Sequence, residues 1–142
     1  MIFLKPHTTF PGMLTALAFA LSLIVTSSTL AQQAVPGPLK TASKEQLGTF
    51  LVDANGMTLY IFDNDKEPGK STCSGGCARA WPPYSPKAGD PKPDASLSIS
   101  TRDDGSKQYA YKGKPLYYFT RDKQPGDTTG QGAGDRWWVV KP

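Results

Sequence analysis

The chain has 142 residues, the size of a single domain, and carries a formal net charge of +4 at pH 7. Its 16 lysines and arginines are interspersed with 12 acidic residues and form no basic stripe, so we predict no nucleic-acid partner. The only histidine, His7, lies near the start of the chain.

Residues 1–31 have the order typical of a secretory signal peptide. Lys5 is the only lysine or arginine in this stretch, an apolar run follows from Met13 to Val25, and small residues lead to Ala31. The run is too short to span a bilayer comfortably, although an uncleaved membrane anchor is the alternative. A lipoprotein would need a cysteine after the run, where this chain has Gln32. We predict cleavage after Ala31, a periplasmic or secreted protein, and no transmembrane segment after signal removal.

Removal of the signal peptide leaves residues 32–142 without any histidine and with a net charge of +3, because Lys5 is lost. A domain without histidine cannot form a Ser-His-Asp or Cys-His nucleophile system. It also lacks the imidazole ligand that zinc, copper and haem iron commonly use. We therefore predict a non-enzymatic protein without a cofactor or a metal site.

The remaining chain divides into a flexible leader, predicted for the polar residues 32–47, and a domain over residues 48–142. Asn55-Gly56, between two β-branched and aromatic runs, predicts a hairpin. The Pro-rich residues 85–96 predict a linker, and only Gly76–Trp81 favours a helix. Strands are predicted over residues 49–53, 57–62, 97–100, 108–112, 115–120 and 136–140. The fold class is therefore all-β, a small antiparallel domain with at most one short helix.

An internal repeat organises this domain. Displacing the sequence by 57 positions aligns residues 56–82 with residues 113–139 without a gap, and twelve of the 27 pairs are identical. We predict two pseudo-symmetric repeats, about 48–84 and 105–142, that pack on each other. The shared structural motif consists of Tyr60, Asp65 and Trp81 in the first repeat and Tyr117, Asp122 and Trp138 in the second. Each aspartate is expected to hold a Lys-x-Pro-Gly turn, and each tryptophan to return its loop to the core.

The motif Tyr-x4-Asp, present as Tyr60–Asp65 and Tyr117–Asp122, resembles that of the bacterial secreted repeat of unknown function. The resemblance extends over about residues 48–142. It implies an exported, often lipid-anchored small domain with no established molecular activity, and it supplies no catalytic residues.

Cys73 and Cys77 are the first candidate site. Because two cysteines of an exported protein usually pair, we predict a structural disulfide that clamps the segment leading to Trp81. The alternative is a Cu(I) site or a redox-active dithiol.

Two further candidates are weaker patterns. Residues 63–67 faintly resemble a calcium loop but lack its glycine and its closing glutamate, so a turn held by Asp65 is the preferred interpretation. Neighbouring residues of a strand face opposite ways, so one aromatic residue of each adjacent pair is a candidate for an exposed binding surface. The tentative binding residues are Tyr60, Tyr117, Tyr118 and Trp137.

These patterns favour an exported, non-enzymatic envelope domain that binds or scaffolds an envelope component. The alternative function is an extracytoplasmic redox or copper-handling accessory that uses Cys73 and Cys77. Contact with cell-wall glycans is a third possibility, which rests on the aromatic residues alone.

Overall fold

The computed structural model describes residues 37–142. The predicted signal peptide and the first residues of the predicted leader lie outside this range. The described strands are β1 (Lys40–Lys44), β2 (Gly48–Val52), β3 (Tyr60–Phe62), β4 (Leu97–Thr101), β5 (Lys107–Tyr111), β6 (Lys114–Pro115) and β7 (Trp137–Val139). One short helix, α1 (Gly76–Ala80), and a 3-10 turn (Ala133–Asp135) complete the described part. The predicted antiparallel β class with one short helix is confirmed.

Two equivalent hairpins open the two repeats. Strand β1 pairs with β2, and Lys40 lies opposite Val52; β4 pairs with β5, and Leu97 lies opposite Tyr111. Strand β1 falls within the predicted leader, so the leader prediction was wrong from Lys40 onward. Four of the five side chains of β1 are exposed. A strand with so few buried side chains shows no alternation of apolar residues in the sequence, and it is recognised only by its hydrogen-bonded pairing with β2.

The centre of the molecule is built from strands of both repeats. Strand β3 of the first repeat pairs antiparallel with β7 of the second, and Tyr60 lies opposite Val139. Tyr60 and Tyr117 also exchange two backbone hydrogen bonds of 2.8 and 2.9 Å with each other. On its far side, Tyr117 forms a bridge to Pro83. The two tyrosine segments are therefore direct neighbours, and each repeat closes the sheet of the other.

The Pro-Gly turn of each repeat forms a backbone hydrogen bond to the other repeat. Gly69 donates its N–H to the carbonyl of Gly113 at 2.7 Å, and Gly126 donates to Gly56 at 2.9 Å. Both turn glycines have positive φ, 72° at Gly69 and 80° at Gly126, as expected for the second central residue of a type II turn. A Cβ atom on Gly56 would lie 3.0 Å from Cβ of Pro125. The absence of a side chain there lets the opposing loop approach closely.

Two apolar clusters form the core, and both contain residues of the two repeats. The first comprises Leu39, Leu51, Leu59, Tyr84, Leu97, Tyr109, Tyr111, Leu116 and Val140. The second comprises Phe50, Val52, Tyr60, Cys73, Trp81, Tyr117, Trp137 and Val139. Neither repeat could bury these side chains by itself, since each cluster is closed by residues of the other half.

The structure corrects the predicted equivalence of the tryptophans. In the ungapped alignment Trp81 corresponds to Trp138, but in the fold it corresponds to Trp137. The hydrogen bond from Tyr84 to Leu116 is matched by one from Val140 to Leu59, a displacement of 56 residues instead of 57. The second repeat is one residue shorter in the loop before its tryptophan, and this deletion shifts the register of everything that follows.

Candidate functional site

The Tyr-x4-Asp motif forms two crossed hydrogen bonds between the repeats. The hydroxyl of Tyr60 donates to Oδ2 of Asp122, and the hydroxyl of Tyr117 donates to Oδ2 of Asp65, both at 2.6 Å. Within each repeat the tyrosine and the aspartate are five positions apart, yet each pairs with the counterpart in the other repeat. The motif therefore joins the two halves of the domain.

The second carboxylate oxygen of each aspartate holds its own loop. Oδ1 of Asp65 accepts hydrogen bonds from N–H and Oγ1 of Thr72, both at 2.7 Å, and Asp122 accepts the equivalent pair from Thr129. The two aspartates are 1% and 6% exposed. Because each buried carboxylate already accepts three hydrogen bonds, we interpret the acidic turns as architecture rather than as metal-binding loops.

An aromatic stack lies beside these hydrogen bonds. The rings of Trp81 and Trp137 are parallel, with centroids 3.8 Å apart. Each tryptophan packs edge-on against the tyrosine of its own repeat, at 5.4 Å for Tyr60 and 5.2 Å for Tyr117. This arrangement identifies Trp137 as the symmetry equivalent of Trp81, because both make the same contacts.

The same packing removes three of the four tentative binding residues from the surface. Tyr60 and Tyr117 are fully buried and Trp137 is 6% exposed, so these side chains do not present a binding surface. Tyr118 is half-buried, and its hydroxyl donates to Asp53 at 2.9 Å. In the pair formed by Trp137 and Trp138, the partly exposed residue is Trp138, which is half-buried. Its Nε1 donates to Oδ2 of Asp63 at 2.8 Å.

Trp138 lines a surface groove of about 400 Å³. Its floor is apolar and is formed by three separate segments, which contribute Ile61, Tyr111 and Val140. Three lysines lie at its rim: Lys112, Lys114 and Lys141. Sequence reasoning did not find this groove, because its residues come from distant positions in the chain. The tryptophan doublet was the only signal that pointed toward it.

A comparison with protein-family models decides the family. A model described as a secreted repeat of unknown function matches residues 41–84 and again residues 98–141. The chain belongs to this family of secreted repeats. The two matched segments cover more than half of the chain and are displaced by the 57 residues of the internal repeat. No curated protein and no solved structure gives a significant match. None of the helices between residues 37 and 142 has the length and apolar character needed to cross a membrane.

The cysteines of this secreted repeat form the predicted disulfide between Cys73 and Cys77, with Cα atoms 5.2 Å apart. Cys73 is buried, and its carbonyl accepts a hydrogen bond of 2.6 Å from the guanidinium of Arg102. In the second repeat the corresponding position is Gly130, where a Cβ atom would lie 2.7 Å from Cη2 of Trp81. The two loops therefore support the stacked tryptophans differently, one by a covalent clamp and one by close backbone packing.

We expect loss of the disulfide to destabilise the secreted repeat by about 2 kcal/mol, since cross-linking so short a loop removes little entropy from the unfolded chain. The measurement is urea unfolding of the oxidised protein, of the reduced protein and of the Cys73→Ala/Cys77→Ala variant. Thiol titration of the native protein should detect no free thiol. Free thiols that bind stoichiometric Cu(I) in protein purified after export would instead support the copper-handling alternative.

The buried tyrosines also predict a limit on alkaline stability. Burial, with the hydrogen bond to Asp122, raises the pKa of Tyr60 well above its ordinary value of 10.0. Burial and the hydrogen bond to Asp65 act in the same direction on the pKa of Tyr117. Burial likewise raises the pKa of Tyr84 and Tyr118, and it raises the pKa of Tyr109 to about 12. The folded state thus keeps protons that the unfolded chain releases above pH 10.

Stability should therefore be unaffected by these groups below pH 10 and fall steeply above it. For each such tyrosine, the free energy of unfolding falls by about 1.4 kcal/mol per pH unit as the pH rises from the pKa of the unfolded chain to that of the folded state. Circular dichroism and tyrosinate absorbance, followed together during an alkaline titration, should change in one cooperative transition. Ionisation of all tyrosines near pH 10 with the fold intact would contradict this prediction.

Proposed function

We propose that this secreted repeat is an exported, non-enzymatic domain that binds an envelope component through the groove at Trp138. Export is supported by the signal-peptide pattern of residues 1–31 and by the description of the family as secreted. Mass spectrometry of the protein recovered from the periplasm should give a chain that begins at Gln32. Recovery of the uncleaved chain in the membrane fraction would contradict a cleaved signal.

The chemistry of the motif residues shared by the two repeats supports binding rather than catalysis. Asp65 and Asp122 each accept three hydrogen bonds, from a buried tyrosine and a loop threonine, and both carboxylates are buried. Catalytic carboxylates and phenols need access to a substrate and a proton to transfer. The buried polar groups of the motif serve the fold, which leaves the surface as the place where function resides.

The single observation that carries the proposal is the exposed part of Trp138 in an apolar groove. An indole that is partly exposed and next to Ile61 and Val140 offers more apolar surface to a partner than an isolated surface side chain does. The stack of Trp81 and Trp137 lies in the core on the opposite face of strand β7, so the groove is backed by well-packed aromatic rings.

The test is a thermal-shift comparison of wild-type protein and the Trp138→Ala variant against fractions of an envelope extract. A ligand that binds only the native state raises the midpoint of unfolding, and the rise grows with the logarithm of ligand concentration relative to Kd, so an active fraction should stabilise the wild type and not the variant. The matched control is Ile99→Ala, which removes an exposed apolar side chain that does not line this groove and should leave the stabilisation unchanged. The ligand should be recovered chemically unchanged after incubation, whereas its conversion would identify an enzyme.

A further inference from the structure

We propose that the groove binds a small amphiphilic carboxylate, with an aliphatic body on its floor and the anionic group at its lysine rim. This inference rests on the proposed function, because it assigns a ligand class to the same groove. It follows from three features of the site: the apolar floor, the satisfied indole N–H and the unpaired positive charge.

The floor favours an aliphatic body over a sugar. Ile61, Tyr111 and Val140 contribute carbon surface to the floor and the ring of Trp138 contributes it to the wall, while the indole N–H is already donated to Asp63 at 2.8 Å. A saccharide needs several hydrogen-bonding partners around its hydroxyl groups, and this floor offers few. The volume of about 400 Å³ lies within the range of sites that enclose small organic molecules.

The rim supplies three positive charges, and none of these lysines takes part in a salt bridge among the described residues, although the carboxylate of Asp63 lies nearby on the indole of Trp138. Its three lysines are exposed, and among the described residues that line the groove none is acidic. Their ammonium groups contact neutral partners: Lys112 lies 4.9 Å from the ring centre of Tyr111, Lys114 donates to the backbone carbonyl of Asp65 at 3.0 Å, and Lys141 donates to that of Leu47. Since an ammonium group has three donors, each lysine retains capacity for an anion.

The shape of the site favours a single molecule over a membrane surface. Side chains that anchor a protein in a bilayer protrude into it, whereas Trp138 is half-buried at the wall of a concave groove. A monomeric anion can enter such a concavity, but a flat lipid surface cannot reach its floor. Binding to anionic vesicles is therefore the competing outcome that the experiment must separate.

The experiment uses the exported protein and titrates it calorimetrically with decanoate below its micelle concentration. Decanol is the uncharged ligand of matched chain length. The charge variant is Lys112→Gln/Lys141→Gln, and Lys87→Gln/Lys92→Gln removes the same charge from exposed positions that do not line the groove. Circular dichroism of each variant verifies the fold.

We expect decanoate to bind with one-to-one stoichiometry. Decanol, or loss of the two rim lysines, should weaken binding roughly five- to tenfold, as two exposed charge contacts would. The control pair should bind as the wild type does, and Trp138→Ala should bind neither ligand measurably.

Four results would overturn the inference. Equal affinity for decanoate and decanol would remove the role of the lysine rim. Binding to anionic phospholipid vesicles without binding of monomeric decanoate would assign the groove to a membrane. A failure of decanoate, combined with an extract fraction that still stabilises wild type but not Trp138→Ala, would refute the ligand class and leave the proposed function standing. If neither decanoate nor any extract fraction distinguishes the wild type from Trp138→Ala, both the ligand class and the proposed function are refuted.

Discussion

Replacing Trp137 with alanine is expected to destabilise the protein by about 3–5 kcal/mol, as is usual for a buried tryptophan. Trp137 is 6% exposed, stacks on Trp81 at 3.8 Å and on Phe62 at 4.2 Å, and packs against Tyr117. The variant would leave a cavity at the contact between the repeats, where neighbouring rings belong to both halves and have little freedom to collapse. Urea unfolding followed by circular dichroism measures the change.

The neighbouring Trp138→Ala variant is the matched control. Trp138 is half-buried and forms one hydrogen bond, to Asp63, so its loss should cost about 1 kcal/mol. The two variants differ by one position and remove the same side chain. A larger loss of stability at Trp138 than at Trp137 would show that the ungapped alignment, and not the structure, identifies the equivalent of Trp81.

The second large effect is expected at the crossed aspartates. The Asp122→Ala variant removes the acceptor of Tyr60 and of both Thr129 donors, leaving a buried hydroxyl without its partner. Hydrogen bonds to charged groups contribute about 1.5–3 kcal/mol each and are not additive, so we expect a loss of about 3–5 kcal/mol. Asp65→Ala should behave similarly, because Asp65 makes the equivalent contacts with Tyr117 and Thr72.

A double-mutant cycle tests whether the pairing is crossed. Tyr60→Phe combined with Asp122→Ala should show a coupling energy of about 0.5–3 kcal/mol, because the two side chains share one hydrogen bond. Tyr60→Phe combined with Asp65→Ala should show a smaller coupling, although these residues are much closer in sequence. The reverse ranking would mean that each motif closes within its own repeat.

Much of the fold could be predicted from local patterns. Asn55-Gly56 occupies the turn between β2 and β3, where Gly56 has φ of 86° and Asp53 accepts the N–H of Gly56. The helix predicted over 76–81 ends at Ala80, before Pro82, which cannot continue it. The strand predicted over 115–120 was too long, because only Lys114–Pro115 is regular and Tyr117 makes isolated bridges to both neighbours.

The candidate site was predicted less well, for a physical reason. Aromatic residues in a short strand indicate burial on at least one face, but the pattern of one strand does not say which faces are covered. Tyr60, Tyr117 and Trp137 are buried because the other repeat covers them. Trp138 is partly exposed because the next residue along a strand faces the opposite side.

The sequence by itself determined the duplication and the β class, pointed to the family through the Tyr-x4-Asp motif, and favoured the pairing of Cys73 with Cys77 over a copper or redox site. Each of these follows from identities, alternation or spacing along the chain. Only the tertiary structure decided that each tyrosine bonds the aspartate of the other repeat, that Trp137 is the partner of Trp81, and that lysines of distant segments surround one groove. Such contacts join residues separated by tens of positions, so no local pattern reports them. The one-residue deletion in the second loop leaves Trp138 aligned with Trp81 in the sequence, but in the fold it brings Trp137 to the equivalent core position.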